Sequence, residues 1–150
     1  MKKPVELYLL IGLHIFLCAG ALYGGASLIV SPDGSLLGLP VDWLAGTPFR
    51  SFILPGFILF ILLGLFPLFT VFGLLRNSNT RFPDLLNMYK NKYWSWAFSL
   101  YTGIIALAWI IIQQLLTSYF ILQPVIAATG LLIIVLTVSP RIQKHFEKHD

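Results

Sequence analysis

Four long apolar runs occupy most of this chain of 150 residues, at roughly positions 5–30, 51–75, 94–116 and 121–138. Each approaches or exceeds the roughly 20 residues that a helix needs to cross about 30 Å of hydrocarbon. The chain is 57% hydrophobic and 11% charged, with a mean hydropathy of +0.83, which is typical of integral membrane proteins. The sequence therefore predicts an all-α, polytopic membrane protein, with one domain over residues 1–150 built as an antiparallel bundle of four transmembrane helices.

The basic residues predict how this bundle is oriented. If the chain crosses four times, nine of its ten basic residues share one side of the membrane: Lys2, Lys3, Arg76, Arg81, Lys90, Lys92, Arg141, Lys144 and Lys148. Because lysine and arginine are enriched in cytoplasmic segments, both termini are expected in the cytoplasm. Topology and contact with anionic lipids explain the pI of about 9.4, so no nucleic-acid partner is expected.

Residues 31–50 form the longest segment on the opposite side of the membrane in this topology. Ser31-Pro32-Asp33-Gly34 has the composition of a turn, in which proline fixes φ and glycine accepts a positive φ. The stretch 37–49 then mixes large apolar residues, including Trp43, with a single acid, Asp42. We expect this amphipathic extracytoplasmic segment to lie along the interface or to fold back over the mouth of the bundle.

His14 is an ionisable residue near the expected midplane, about 14 Å along the first helix at 1.5 Å per residue. At helical spacing it shares a face with small residues: Cys18, Ala21 and Gly25. Burial of an ionisable group in a membrane is costly, so such a residue is a candidate for function. A hydrogen bond to the hydroxyl of Thr102 or Thr129 is the structural alternative, which we favour over a role in proton transfer or ligand binding.

Two further features bear on the packing and shape of the helices. Gly20 and Gly24 form a Gly-x-x-x-Gly pair, which allows close approach of another helix. Packing within the bundle is favoured over dimerisation through the same face. Pro67 removes the amide that would bond to the carbonyl of Leu63, which predicts a bend in the second helix, eased by Gly64.

Small and polar residues of the third run recur at intervals of three and four and predict one semi-polar stripe: Ser95, Ser99, Thr102, Ala106, Trp109 and Gln113. Gln114, Gln123 and Arg50 are expected at a similar height, with Asp42 in the preceding segment. One interpretation is a hydrogen-bonded cap that joins the helix ends. The other is a polar mouth that orients an amphipathic ligand above an apolar cavity.

The sequence contains no recognisable catalytic machinery. No Asp or Glu lies within an apolar run away from its ends, so a pair of carboxylates for acid–base chemistry is lacking. We expect no catalytic residue, no metal site and no cofactor. A second histidine or acid does not reach the depth of His14, and the pair His145 and His149 in the basic tail is expected to be solvated.

Short motifs across much of the chain resemble those of a group of small uncharacterised prokaryotic four-helix integral membrane proteins. The similar elements are Gly25-Ala26-Ser27-Leu28, Pro32-Asp33-Gly34, Leu39-Pro40, Gly46-Thr47-Pro48-Phe49, Pro55-Gly56, and Trp109 to Gln113 with Gln123. The resemblance implies the inner membrane of a bacterium or archaeon and no named activity.

Three classes of function fit these features. The favoured one is a non-enzymatic membrane protein that binds a lipid-like ligand or a membrane-protein partner. The alternatives are a small oligomeric transporter or channel that uses His14 or the Gln113 region, and a membrane enzyme acting on a lipid or quinone with His14 as its titrating group. The ligand-binding candidates are His14, Asp42, Trp43, Arg50, Trp109, Gln113, Gln114 and Gln123, and the expected partners are membrane lipids or a second copy of the chain.

Overall fold

The computed structural model describes residues 2–77 and 80–149, and the secondary structure named within them is helical apart from one isolated bridge. We number the helices in chain order: α1 is Val5–Val30, α2 Ile53–Arg76, α3 Arg81–Leu85, α4 Trp94–Leu116, α5 Leu122–Thr137 and α6 Pro140–His145. Helices α1, α2 and α4, with 26, 24 and 23 residues, are long and apolar enough to cross a membrane. Helix α5 is apolar but has 16 residues, fewer than the roughly 20 of a typical span. The prediction of an all-helical chain with long apolar helices is confirmed, and α1 and α4 begin and end where the sequence places them.

Glycines set the closest contacts between helices. A methyl group added at Gly25 of α1 would lie 2.8 Å from the carbonyl oxygen of Gly56 in α2. Between α4 and α5, a methyl group at Gly103 would lie 2.8 Å from the carbonyl oxygen of Gly130. Since these distances are below normal van der Waals contact, only glycine allows the backbones to approach this closely.

The Gly-x-x-x-Gly pair does not make the internal contact that the sequence favoured. Gly20 is exposed, and a methyl group there would meet nothing within 4 Å. Gly24 would make only an ordinary contact, 3.5 Å from a side-chain atom of Leu59. The tight contact falls instead on Gly25, because the face of α1 that meets α2 is rotated by one residue from the face that the motif defines.

The second long helix changes its winding before Pro67. Residues Ile53–Leu59 and Phe66–Arg76 are α-helical, whereas Phe60–Leu65 form π-helical turns, in which the amide of Phe66 donates to the carbonyl oxygen of Ile61. A proline cannot donate an amide hydrogen bond, and wider turns of this kind often occur at functional sites. A π-helical segment therefore precedes Pro67 in the structure, and the bend that the sequence predicts there stays a prediction.

Both termini and the connection between α2 and α4 meet at one end of the molecule, here called the terminal end. The amide of Tyr93 donates to the carbonyl oxygen of Phe146 at 2.9 Å, and the Lys3 ammonium donates to the carbonyl oxygen of Leu75 at 2.9 Å. Arg141 forms a salt bridge of 2.7 Å with Glu6. The basic residues other than Arg50 belong to segments that join here, so the structure gathers the cationic segments at one end of the bundle.

The C-terminal tail packs against this end and is not simply solvated. Ile142 and Phe146 are fully buried, and the His145 ring lies 3.3 Å from the amide nitrogen of Asn77. The expectation of a solvated histidine pair is thus wrong for His145, whereas His149 is exposed. The apolar spacing of Ile142 and Phe146 explains the difference, since i and i+4 lie on one helix face.

An ion pair between α3 and the tail gives a pH-dependent prediction. Asp84 accepts hydrogen bonds from Asn87 and from Lys148, both at 3.0 Å, and these contacts hold the pKa of its carboxyl below the usual range. Because the pKa is lower in the folded protein than the unfolded-state value of about 3.9, the ionised carboxylate stabilises the fold at pH values above about 3.9. This contribution is lost as the pH falls through the lower pKa of the folded protein. We expect Asp84→Asn to lower the free energy of unfolding by about 0.2–1 kcal/mol at neutral pH.

Thermal unfolding in detergent at pH 7 and at pH 3, together with hydrogen exchange of residues 140–149, measures this effect. The matched control is Asp42→Asn, because the Asp42 carboxylate is exposed and makes no side-chain hydrogen bond or ion pair within residues 2–77 and 80–149. Equal stability of Asp84→Asn and the unsubstituted protein at pH 7, with equal exchange in the tail, would contradict the prediction.

Candidate ligand-binding cavity

The 31–50 segment begins with the turn that its sequence predicts. The carboxylate of Asp33 accepts hydrogen bonds from the Ser31 hydroxyl at 2.6 Å and from the Ser35 hydroxyl at 2.8 Å. These bonds, with one from the Ser35 amide, lower the pKa of Asp33 to about 2. Gly34 has a φ of 78°, a conformation that side chains disfavour. The carboxylate of Asp33 is therefore committed to holding the turn.

The rest of the segment folds back over the ends of the helices, which is one of the two expected arrangements. Leu44 and Phe52 are buried against Leu28 of α1, in a small apolar cluster of their own. The ring of Trp43 packs on that of Phe120, in the connection between α4 and α5, with centroids 5.7 Å apart. The segment thus forms a roof held from two sides, at the end of the molecule opposite the terminal end.

A cavity of about 490 Å³ lies beneath this roof. The roof contributes Trp43, Phe49 and Phe52, and the walls come from α2 and α4, including Leu59, Leu62, Ile105, Ala108 and Ile112. The π-helical segment supplies Leu62 and Leu63 to the wall. The volume lies within the range of about 300–1,000 Å³ that is usual for small-molecule sites.

The surface of the cavity is almost entirely hydrocarbon. None of its described lining residues is charged, and the polar ones are Trp43, Thr47, Trp109, Gln113 and Thr117. Both threonine hydroxyls are used locally, since Thr47 donates to the carbonyl of Leu44 and Thr117 to that of Gln113, each at 2.9 Å. A charged group placed in this cavity would lose its hydration without a partner, whereas an alkyl or isoprenoid chain would not.

Two polar atoms near the cavity have no hydrogen-bond partner. The indole nitrogen of Trp109 and the amide oxygen of Gln113 are buried and unpaired among the described residues. They lie four residues apart on α4, and both side chains line the cavity. Both atoms are fully buried, so in this structure they are not presented to the cavity.

The structure brings together three of the residues predicted to bind a ligand and separates the rest. Trp43, Trp109 and Gln113 line the cavity. The other predicted residues lie outside the cavity lining. Asp42, Arg50 and Gln114 are exposed, whereas His14 and Gln123 are fully buried. The expected hydrogen-bonded cap is not formed within the described residues, because neither polar atom of the Gln123 amide has a partner.

His14 lies on the small face of α1 that the sequence predicts, with Cys18, Ala21 and Gly25 also buried. Its Nδ1 lies 2.8 Å from the carbonyl oxygen of Leu10, one turn earlier in the same helix. A carbonyl oxygen only accepts hydrogen bonds, so Nδ1 carries the proton and Nε2 is left without a partner in the described structure. This geometry ties the imidazole to its own helix.

The threonines predicted to bond His14 make other contacts. Thr102 donates to the carbonyl of Phe98 at 2.9 Å, and Thr129 donates to that of Val125 at 2.8 Å. The expected hydroxyl bond to His14 is therefore not formed. Backbone carbonyls one turn earlier are the nearest acceptors for a threonine in any helix, and in an apolar interior they are preferred to a distant ring nitrogen.

The apolar residues of the cavity were not among the predicted site residues. Phe49, Phe52 and Ile112 are ordinary apolar residues in sequence, and nothing in their spacing separates a cavity wall from a lipid-facing surface. The one available signal was the apolar character of the 37–49 stretch, which indicated that it covers something. The described residues hold no group of three or more His, Cys, Asp or Glu side chains placed to bind a metal ion.

Comparison of the chain with models of protein families, with curated proteins and with solved structures gave no match. The resemblance to small prokaryotic membrane proteins stays a prediction. The cavity and the arrangement of charged residues are therefore the features of this chain that bear on function.

Proposed function

We propose that this protein is a non-enzymatic integral membrane protein that holds the hydrocarbon chain of a lipid-like molecule in the cavity beneath the 31–50 segment. The observation that carries the proposal is a cavity of about 490 Å³ with no charged residue in its described lining. A lipid tail fits such a surface, because it needs no hydrogen bonds and gains dispersion contacts with the aromatic and aliphatic walls. The roof covers one end of the cavity, while exposed wall residues such as Leu62 and Ile112 leave a side through which a lipid chain can enter.

The proposal includes four membrane crossings, with α5 as the fourth. Helix α5 has 16 residues, and a short span of this kind is accommodated by local thinning of the bilayer or by polar residues that reach the interface. Its last residues pack beside α4, where Trp96 donates to the carbonyl of Thr137 at 2.8 Å. With four crossings, both termini lie on the same side, and the basic terminal end faces the cytoplasm of a bacterial or archaeal cell.

Labelling of single cysteines in intact cells tests this topology. Leu36 and Leu86 are 58% and 63% exposed at opposite ends of the molecule. With the buried Cys18 replaced by alanine, we expect an impermeant maleimide to label Leu36→Cys in intact cells and Leu86→Cys only after permeabilisation. Labelling of Leu86→Cys but not Leu36→Cys in intact cells would reverse the orientation, and labelling of both would contradict a membrane crossing by α2, the long helix between them.

Native mass spectrometry of the protein in mild detergent tests ligand binding, since it reports bound lipids and oligomeric state together. We expect a retained amphiphile, at one per chain, that is displaced by added lipid of the same class. The absence of any retained or added amphiphile under conditions that preserve the fold would contradict the proposal.

Transport through the region of His14 is the competing hypothesis, and its supporting observation is the unpaired, buried Nε2 of that ring. It predicts proton or solute flux in liposomes, abolished by His14→Ala. The binding proposal predicts no flux above that of empty liposomes, and unchanged lipid retention in His14→Ala, because His14 does not line the cavity.

A further inference from the structure

Asp42 and Arg50, two charged residues of the 31–50 segment, lie directly beside residues that line the cavity. Asp42 precedes Trp43, and Arg50 follows Phe49, and both Trp43 and Phe49 face the cavity. Both charged side chains are exposed. The apolar lining is thus flanked by one acid and one base, at the two ends of the same short stretch of chain.

Neither charge is used by the protein itself. Within residues 2–77 and 80–149, the side chains of Asp42 and Arg50 form no hydrogen bond and no ion pair with each other or with any other residue. The other acid of this region, Asp33, is different, because its carboxylate is already bonded to Ser31 and Ser35. Arg50 is also the one basic residue between positions 4 and 75. It therefore lies at the opposite end of the molecule from the segments that carry the other nine.

Head-group contacts must decide which molecule stays in the cavity. In a membrane, a lipid tail leaves one hydrocarbon environment for another, so the transfer of the tail into an apolar site supplies little free energy. Among its described residues, the cavity lining has no charged side chain to recognise a head group. Recognition is therefore left to the exposed charged residues that adjoin the lining in sequence, Asp42 and Arg50.

We infer that the ligand of the cavity is a zwitterionic phospholipid or lysophospholipid whose head carries both a phosphate and an ammonium group. The guanidinium of Arg50 binds the phosphate, a pairing that its fork of donors favours. The carboxylate of Asp42 binds the ammonium, and one acyl chain occupies the space between Trp43, Phe49 and the walls from α2 and α4. This inference rests on the proposed function and adds the class of ligand to it.

Three lysolipids with the same acyl chain separate the head-group contacts from the tail contact. The probes are lysophosphatidylethanolamine, lysophosphatidylglycerol and the uncharged monoacylglycerol, each titrated onto the delipidated protein in nonionic detergent and followed by native mass spectrometry. Exposed charge pairs change affinity by factors of up to about five. We expect lysophosphatidylethanolamine to bind about threefold more tightly than lysophosphatidylglycerol, and both to bind more tightly than the monoacylglycerol.

Variants assign each contact to its residue. Asp42→Asn should remove the preference for lysophosphatidylethanolamine over lysophosphatidylglycerol, and Arg50→Gln should lower the affinity of both phospholipids toward that of the monoacylglycerol. Arg81→Gln, an exposed arginine in α3 at the terminal end, is the matched control and should change none of the three affinities.

The outcomes distinguish this inference from the proposed function. If all three lysolipids bind equally, and a side chain that fills the cavity abolishes their binding, the inference is overturned and the proposed function stands. If the glycerol head binds more tightly than the ethanolamine head, the assignment of Asp42 is overturned. If no lysolipid binds in a cavity-dependent way, the proposed function itself fails.

Discussion

The alanine variant of Gly25 is expected to be less stable than the unsubstituted protein by about 1–3 kcal/mol. Its new methyl group would lie 2.8 Å from three atoms of α2, namely the carbonyl oxygen of Gly56 and the amide nitrogen and Cβ of Phe60. None of these is the flexible end of a side chain. Helices α1 and α2 must therefore separate, and the contacts on both sides of this crossing weaken with them.

The alanine variant of Gly20 is the matched control, and its expected effect has the opposite sign. A methyl group at Gly20 meets nothing within 4 Å, while alanine favours a helix over glycine by about 0.5–1 kcal/mol. Unfolding of both variants in detergent, followed by circular dichroism, measures the difference. A Gly20 variant that loses as much stability as the Gly25 variant would show that the close contact lies on the Gly-x-x-x-Gly face after all.

Filling the cavity is the second change with a large expected effect. Ala108 lines the cavity from α4, and the ring of Ala108→Phe would occupy space that the ligand needs. Since overlap with a rigid ring excludes a bound chain instead of weakening one contact, we expect the affinity for lysolipids to fall at least about tenfold, or about 1.4 kcal/mol. Native mass spectrometry of the delipidated variant with added lysolipid measures this loss.

Ala128→Phe controls for the addition of an aromatic ring to a helix. Ala128 is an exposed residue of α5 outside the cavity lining, so this variant should bind lysolipid as the unsubstituted protein does. Equal unfolding temperatures of the two variants would show that the fold is kept. Full lysolipid binding by a folded Ala108→Phe protein would place the ligand elsewhere.

Much of the fold followed from hydropathy alone. Helices α1 and α4 have the predicted bounds. In hydrocarbon, a helix satisfies all the hydrogen bonds of its backbone within one segment, so a long apolar run favours a single unbroken helix. Ser95, Ser99 and Thr102, which the sequence places on one stripe of α4, are buried. Long runs and helical periods are local properties of a chain, and they are readable without its neighbours.

Prediction of the contacts between helices was less successful. The Gly-x-x-x-Gly motif identified a region of close packing, but Gly25 and not Gly20 meets α2. For His14, the face was correct and the partner was wrong, since the nearest acceptor is the carbonyl of Leu10 in the same helix. Rotating a helix about its axis by the angle between neighbouring residues changes every contact that it makes. No pattern in a single sequence specifies this rotation to that accuracy.

The sequence by itself determined which helices are long and apolar enough to cross a membrane, and it placed nine basic residues in segments that meet at one end. Only the tertiary structure decided that the 31–50 segment covers a cavity and that Trp43, Trp109 and Gln113 belong to its wall. The physical reason is that burial in lipid depends on composition, which is summed along the chain. A cavity forms where side chains from different helices leave space between them unfilled, and that space is defined only when all the helices are in place.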